Sequence, residues 1–117
     1  MTGRLTTHVL DTARGCPAAG IPIELWTEGA RAALLRNAVT NADGRCDAPL
    51  LEEPDLKAGL YRLVFRVGTY FEPLVLGAAD PPFLDEIVVA FGVADPARHH
   101  HVPLLVSPFG YTTYRGS

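Results

Sequence analysis

Four histidines and one arginine carry most of the chemical potential of this sequence: His8, His99, His100, His101 and Arg45. A neutral imidazole near pH 7 can take a proton from water. A guanidinium offers a planar fork of donors to an oxygen that is gaining negative charge. On a strand, His99 and His101 share one face and His100 points the other way. That run has three readings: a solvated loop or packed strand, a catalytic base, or a His-x-His pair of zinc ligands. Only Asp95 lies close to it in sequence and no Cys pair accompanies it, which counts against zinc. The ordinary reading of His8 is an exposed strand residue, and that of Arg45 a solvated loop cation. Neither Ser107 nor Ser117 sits in a G-x-S-x-G elbow, so a serine nucleophile has little support.

Short strands are expected to position these groups. Residues 4–11 alternate, with Leu5, Thr7 and Val9 on one face and Thr6, His8 and Leu10 on the other. Residues 12–20 read as a loop. Alternation resumes over residues 21–27, where Pro22 marks an edge or the end of a ladder. Residues 32–40 mix helical and strand preferences and are assigned to strand. Asn41, Ala42, Asp43 and Gly44 then form a hairpin-like turn that delivers Arg45. Residues 52–58 are loop. Residues 60–67 form the clearest strand, with Tyr61, Leu63, Phe65 and Val67 aligned. Any helix near residues 70–76 is short, and residues 77–85, with Pro81 and Pro82, are irregular. Residues 87–93, 99–106 and 111–114 complete the strands. Evenly spaced short strands with turn signals between them point to an all-β sandwich or barrel.

The tail Tyr111-Thr112-Thr113-Tyr114-Arg115-Gly116-Ser117 is unusual, because chain ends are commonly polar and frayed. Two tyrosines in a β-compatible pattern indicate a tail that is tied down. A tied tail would make the Ser117 carboxylate a fixed negative charge.

The 117 residues fit a single domain spanning 1–117, small enough to gain from oligomerisation. With 48% hydrophobic and 20% charged residues, the composition is that of a globular protein. A net charge of −3 and the lack of a basic stripe argue against nucleic acid. No apolar run is long enough for a signal peptide or a membrane span, which leaves the cytoplasm as the expected location. Cys16 and Cys46 belong to no CxxC pair and are expected to be free thiols.

Two segments resemble a known family. Thr7-His8-Val9-Leu10-Asp11-Thr12, followed by Gly15, Pro17-Ala18 and Gly20-Ile21-Pro22, is similar to the N-terminal signature of transthyretin and its relatives. His99-His100-His101-Val102-Pro103-Leu104-Leu105, then Ser107-Pro108-Phe109-Gly110-Tyr111 and Tyr114-Arg115-Gly116-Ser117, resembles the C-terminal signature of that family's hydrolase branch. The Asp43-Gly44-Arg45 turn matches as well. The resemblance implies a transthyretin-like sandwich of two four-stranded sheets and a homotetramer, a dimer of dimers with sites in the channel between them. It implies hydrolysis of 5-hydroxyisourate, a product of urate oxidation, to 2-oxo-4-hydroxy-4-carboxy-5-ureidoimidazoline. It implies no metal and no organic cofactor.

Residue by residue, the resemblance makes His8, Arg45, His101 and Ser117 catalytic. It places Tyr114, Arg115 and His99 with His8 and Arg45 in substrate binding. His100 departs from the aromatic expected there, with little effect if it faces away. The stretch after Phe71 looks less helical than the family's short helix. The competing function is a carrier of the same fold, which would need an apolar channel where these residues make a polar one.

Overall fold

The computed structural model describes residues 3–75, 77 and 79–116. Among them, nine strands form two sheets laid face to face. The first sheet contains β1 (Arg4–Asp11), β2 (Cys16–Pro17), β5 (Leu51–Glu52), β8 (His100–Ser107) and β9 (Gly110–Thr113). The second runs β4 (Leu34–Val39), β3 (Pro22–Thr27), β6 (Gly59–Arg66), β7 (Glu86–Val93). This is a two-sheet sandwich of the kind the resemblance implies.

Period-2 alternation decides which side chains meet in the middle. Along β1, Leu5, Thr7, Val9 and Asp11 are buried, while Thr6, His8 and Leu10 face outward. Along β8, His100, Val102, Leu104 and Val106 point inward. Ile23, Leu25, Leu63, Phe65 and Ile87 meet them from the second sheet, each at most 1% exposed. Burying such a side chain is worth about 1.5–3 kcal/mol. The mixed segment before Thr40 is strand, because Leu35 and Ala38 pack on the core and β3 supplies a partner along its length. Pro22 opens β3 and pairs only with Val39, so it ends the ladder as expected.

The strand count differs from expectation in the first sheet, which has five strands where four were expected. The difference arises because two short segments share one edge of β1. β2 pairs with Leu10 and Asp11, and β5 with Arg4 and Leu5. The chain reaches β2 by turning back at once: the Asp11 carboxylate accepts the Ala13 and Arg14 amides at 3.0 Å, and Gly15 adopts φ +70°. On its other edge β1 pairs with β8 in parallel, from Leu5↔His100 to Asp11↔Val106.

Helix is scarce. α1 (Gly68–Phe71) is one turn, continued by a 3-10 turn at Glu72–Leu74. The expected helix is thus present and short; Leu76, its expected limit, lies outside the described residues. Cys16 and Cys46 are free thiols. Among the described residues, no helix is long and apolar enough to cross a membrane.

Candidate active site

The candidate site lies on the outer face of the first sheet and is set by two pairings of β1. The first is with β8. Thr6 stands beside His101 and His8 beside Pro103, so His101 and His8 occupy neighbouring positions on one face. The second is with the turn after β4. Asn41 N–H donates to the Arg45 carbonyl at 2.8 Å, and Gly44 N–H to the Asn41 carbonyl at 2.9 Å. The Asn41 side chain accepts the Asp43 and Arg45 amides at 2.9 and 3.2 Å. A hairpin-like turn does form here. The chain after it does not return along β4, however. It crosses to the other sheet, where Val9 N–H donates to the Gly44 carbonyl at 2.8 Å and Arg45 bridges His8 in antiparallel fashion.

Glycine is required at that crossing. Gly44 adopts φ +74°, and a Cβ on it would overlap the Val9 carbonyl oxygen. The turn can therefore lie flat on β1, and directly opposed residues project to the same side, which sets Arg45 over His8.

The outer face opens into a cleft of about 400 Å³ lined by Arg4, Thr6, Arg45, Asp47, His99 and His101, among others. Thr6 links its two histidines. Its Oγ1 lies 2.7 Å from His99 Nε2 and 2.8 Å from His101 Nδ1. Spacing placed Thr6 on the right face but did not single it out; the partners of its hydroxyl follow from a β1–β8 register spanning 95 residues. The tail closes over His101. Gly116 N–H donates to the His101 carbonyl at 2.7 Å, and a Cβ on Gly116 would sit 2.7 Å from His101 Cδ2. Only glycine lets the backbone come this close to the ring.

Three imidazoles here resist protonation. His101 is held below the usual histidine range, first by burial and then by the charges of Arg45, His99 and His8. His8 is lowered by burial and Arg45, partly offset by a hydrogen bond to the Asp43 backbone. His99 is lowered by burial, Arg4 and His100. All three are neutral near pH 7, the form in which a ring nitrogen can accept a proton. Among the described residues no carboxylate comes within ion-pair distance of Arg4 or Arg45. Asp47, the acidic residue of the cleft, accepts a hydrogen bond from the Asn41 amide at 2.9 Å.

The structure thus brings His8, Arg45, His99 and His101 together. His100 turns inward, 5% exposed, with Nδ1 3.0 Å from the Arg98 carbonyl oxygen. Arg115 lines a shallower hollow beside the cleft with Arg98, His99 and Gly116. Tyr114 is exposed and does not line the cleft. Ser117 lies outside the described residues. Among those residues, no three His, Cys, Asp or Glu side chains are grouped to hold a metal ion. A smaller apolar hollow near Phe83 and Phe109 contains neither histidine nor arginine, whereas the cleft on β1 and β8 holds both.

Comparison with known proteins agrees with this fold. The HIUase/transthyretin family model matches residues 5–116. The 5-hydroxyisourate hydrolase of Pseudomonas aeruginosa is 52% identical over 116 residues, 98% of this chain and 92% of that protein. The crystal structure of an (S)-allantoin synthase superposes with a TM-score of 0.92 at 43% identity, covering 99% of this chain but 44% of that one, so this chain spans under half of that protein. Sea bream transthyretin in complex with thyroxine superposes with a TM-score of 0.85 at 28% identity, covering 97% of this chain and 94% of that one. The fold, the residues matched and the level of identity make this chain a member of the HIUase/transthyretin family.

Proposed function

We propose that this chain is a hydrolase that opens 5-hydroxyisourate with water, giving 2-oxo-4-hydroxy-4-carboxy-5-ureidoimidazoline. The observation carrying this reading is the meeting of His8, Arg45 and His101 on one outer face, cationic and uncovered where a carrier would need apolar walls. The identity of 52% to a 5-hydroxyisourate hydrolase, against 28% to a thyroxine-binding transthyretin, points the same way.

In this reading water adds to a ring carbonyl of the cyclic ureide. Nε2 of His101 takes the proton of the attacking water. The carbonyl oxygen gains negative charge and is held by the Arg45 guanidinium. When the tetrahedral centre collapses, the ring C–N bond breaks and the departing nitrogen receives the proton that His101 took from water, directly or relayed through His8, which places the substrate. A fixed donor to such an oxyanion is commonly worth ~3–4 kcal/mol. His99 contacts substrate in the cleft and Arg115 approaches it from the adjoining hollow; the resemblance alone adds Tyr114, which stands outside the cleft, and the Ser117 carboxylate as a holder of Arg45 or a histidine. No serine attack is invoked, since neither Ser107 nor Ser117 has the surroundings of a nucleophile.

The same reading makes the working form a homotetramer built as a dimer of dimers. β7 and β9 are the last strands of their sheets, and Val88, Tyr111, Phe83 and Phe109 on or near them are exposed at 46%, 47%, 73% and 75%. Apolar side chains along open strand edges favour association with further copies.

The test is the decay of freshly generated 5-hydroxyisourate, followed by ultraviolet absorbance. The protein accelerates it, and His8→Ala and Arg45→Ala each abolish most of the acceleration while remaining folded. Absence of acceleration by folded protein would transfer the site to ligand carriage, and binding of an apolar ligand would be measured next.

A further inference from the structure

We infer that Thr6 is a positioning residue, whose hydroxyl fixes which ring nitrogen of His101 bears hydrogen and so keeps Nε2 of His101 as the open acceptor of the cleft. The inference deepens the hydrolytic reading above and rests on it for its kinetic consequence, though not for its structural one.

A threonine hydroxyl has a single proton to give and two lone pairs. Oγ1 of Thr6 is within hydrogen-bond distance of two ring nitrogens at once, His99 Nε2 at 2.7 Å and His101 Nδ1 at 2.8 Å. If the hydroxyl donates to one of the two rings, the other ring must donate to it, which gives two arrangements that couple the tautomers of His99 and His101 through Thr6; if the hydroxyl proton points elsewhere, both rings donate to its two lone pairs and His101 again bears hydrogen on Nδ1. In one arrangement His101 Nδ1–H donates to Oγ1, Oγ1–H donates to His99 Nε2, and His101 Nε2 keeps its lone pair. In the other every bond is reversed, and His101 Nε2 carries hydrogen and cannot take a proton from water.

The surroundings select the first arrangement. Arg45 lines the same cleft as His101, and a guanidinium favours a lone pair over an N–H on the ring nitrogen left free by Thr6. Among the described residues His101 Nε2 has no hydrogen-bond partner, so it is open to the cleft. The role of His99 is to accept the Thr6 proton.

The test uses the full chain labelled with ¹⁵N-histidine, with ring tautomers read from long-range ¹H–¹⁵N correlations at a pH where all four histidines are neutral. The expected result is Nδ1–H for His101 in the parent protein. Thr6→Val, which keeps the shape and removes the hydroxyl, shifts His101 toward the Nε2–H form; Thr6→Ser keeps Nδ1–H. In the hydrolysis assay Thr6→Val lowers kcat by ~10²-fold with little change in KM, the size of effect expected when a general base is lost, and Thr6→Ser restores most of it. Finding His101 predominantly Nε2–H in the parent protein, or unchanged in folded Thr6→Val, overturns the inference. Should Thr6→Val not fold, the parent spectrum still decides. A Thr6-dependent tautomer in a protein that does not accelerate 5-hydroxyisourate decay would sink the hydrolytic reading and leave the positioning role standing.

Discussion

The two outer faces of this sandwich treat charge in opposite ways. On the second sheet the exposed cations are matched. Arg66 lies between Glu24, at 3.2 Å, and Glu86, and Arg62 reaches Glu28 at 3.9 Å with its guanidinium over the Trp26 ring. On the first sheet Arg4 and Arg45 have no carboxylate at ion-pair distance among the described residues, and the three imidazoles near them are held neutral. Both faces are the outer sides of sheets packed over the same core. The difference lies in side-chain chemistry: one face sets its guanidiniums against carboxylates, and the other leaves them available to something from solution.

The comparison can be broken most directly at His101. His101→Asn keeps a polar side chain but loses the base, and kcat/KM should fall by ~10²–10⁴-fold, the usual range for a general base. Full activity in folded His101→Asn would remove that residue from the chemistry. A smaller effect comes from making the first face resemble the second. Ala48 lines the cleft beside Arg45, and Ala48→Glu would offer that guanidinium a carboxylate. Activity should fall by ~10-fold, in line with a nearby opposite charge shifting a histidine by about one unit or more.

The pH profile tells the same story. His101 is depressed below 6.5, so the acid limb of kcat/KM should lie below 6.5 in the parent protein and move upward in Ala48→Glu. Folding stability follows the same sign. As pH falls through 6.5 an unfolded chain takes up protons that the folded site resists, so Tm should decline on the acid side. A flat profile across that range would contradict neutral site histidines. The smallest effect is expected on the other face: Arg66→Ala should leave activity unchanged and lower Tm only slightly, because exposed ion pairs contribute little.

Much of this was readable from alternation and turn chemistry. The β1 boundaries, the inward turn of His100 and the pairing of His99 with His101 on one face all follow from period 2. Gly44 and Asn41 announced a tight turn. Other features depend on contacts between distant segments. β2 and β5 are two residues each, too short to alternate, and exist because β1 offers an edge. Arg45 meets His8 because its turn crosses between sheets, which local preference does not reveal. Thr6 looked like any outward threonine until the parallel register set it between two rings. The short helix was also hard to see, since Gly68–Phe71 holds a glycine and two aromatic residues and no capping side chain.

The parallel pairing of β1 with β8 has a consequence for how the protein is made. Thr6 and His99 are 93 positions apart, so at a ribosomal rate of about 5–20 residues per second the first half of the cleft waits roughly 5–20 s for the second. Through that interval β1 has an open edge on the side that β8 will later occupy, with Leu5 and Val9 beneath it. A nascent chain halted anywhere before His101 holds half a site and an uncovered strand. It lacks the β1–β8 pairing on which the proposed site depends and offers an open strand edge to unwanted pairing.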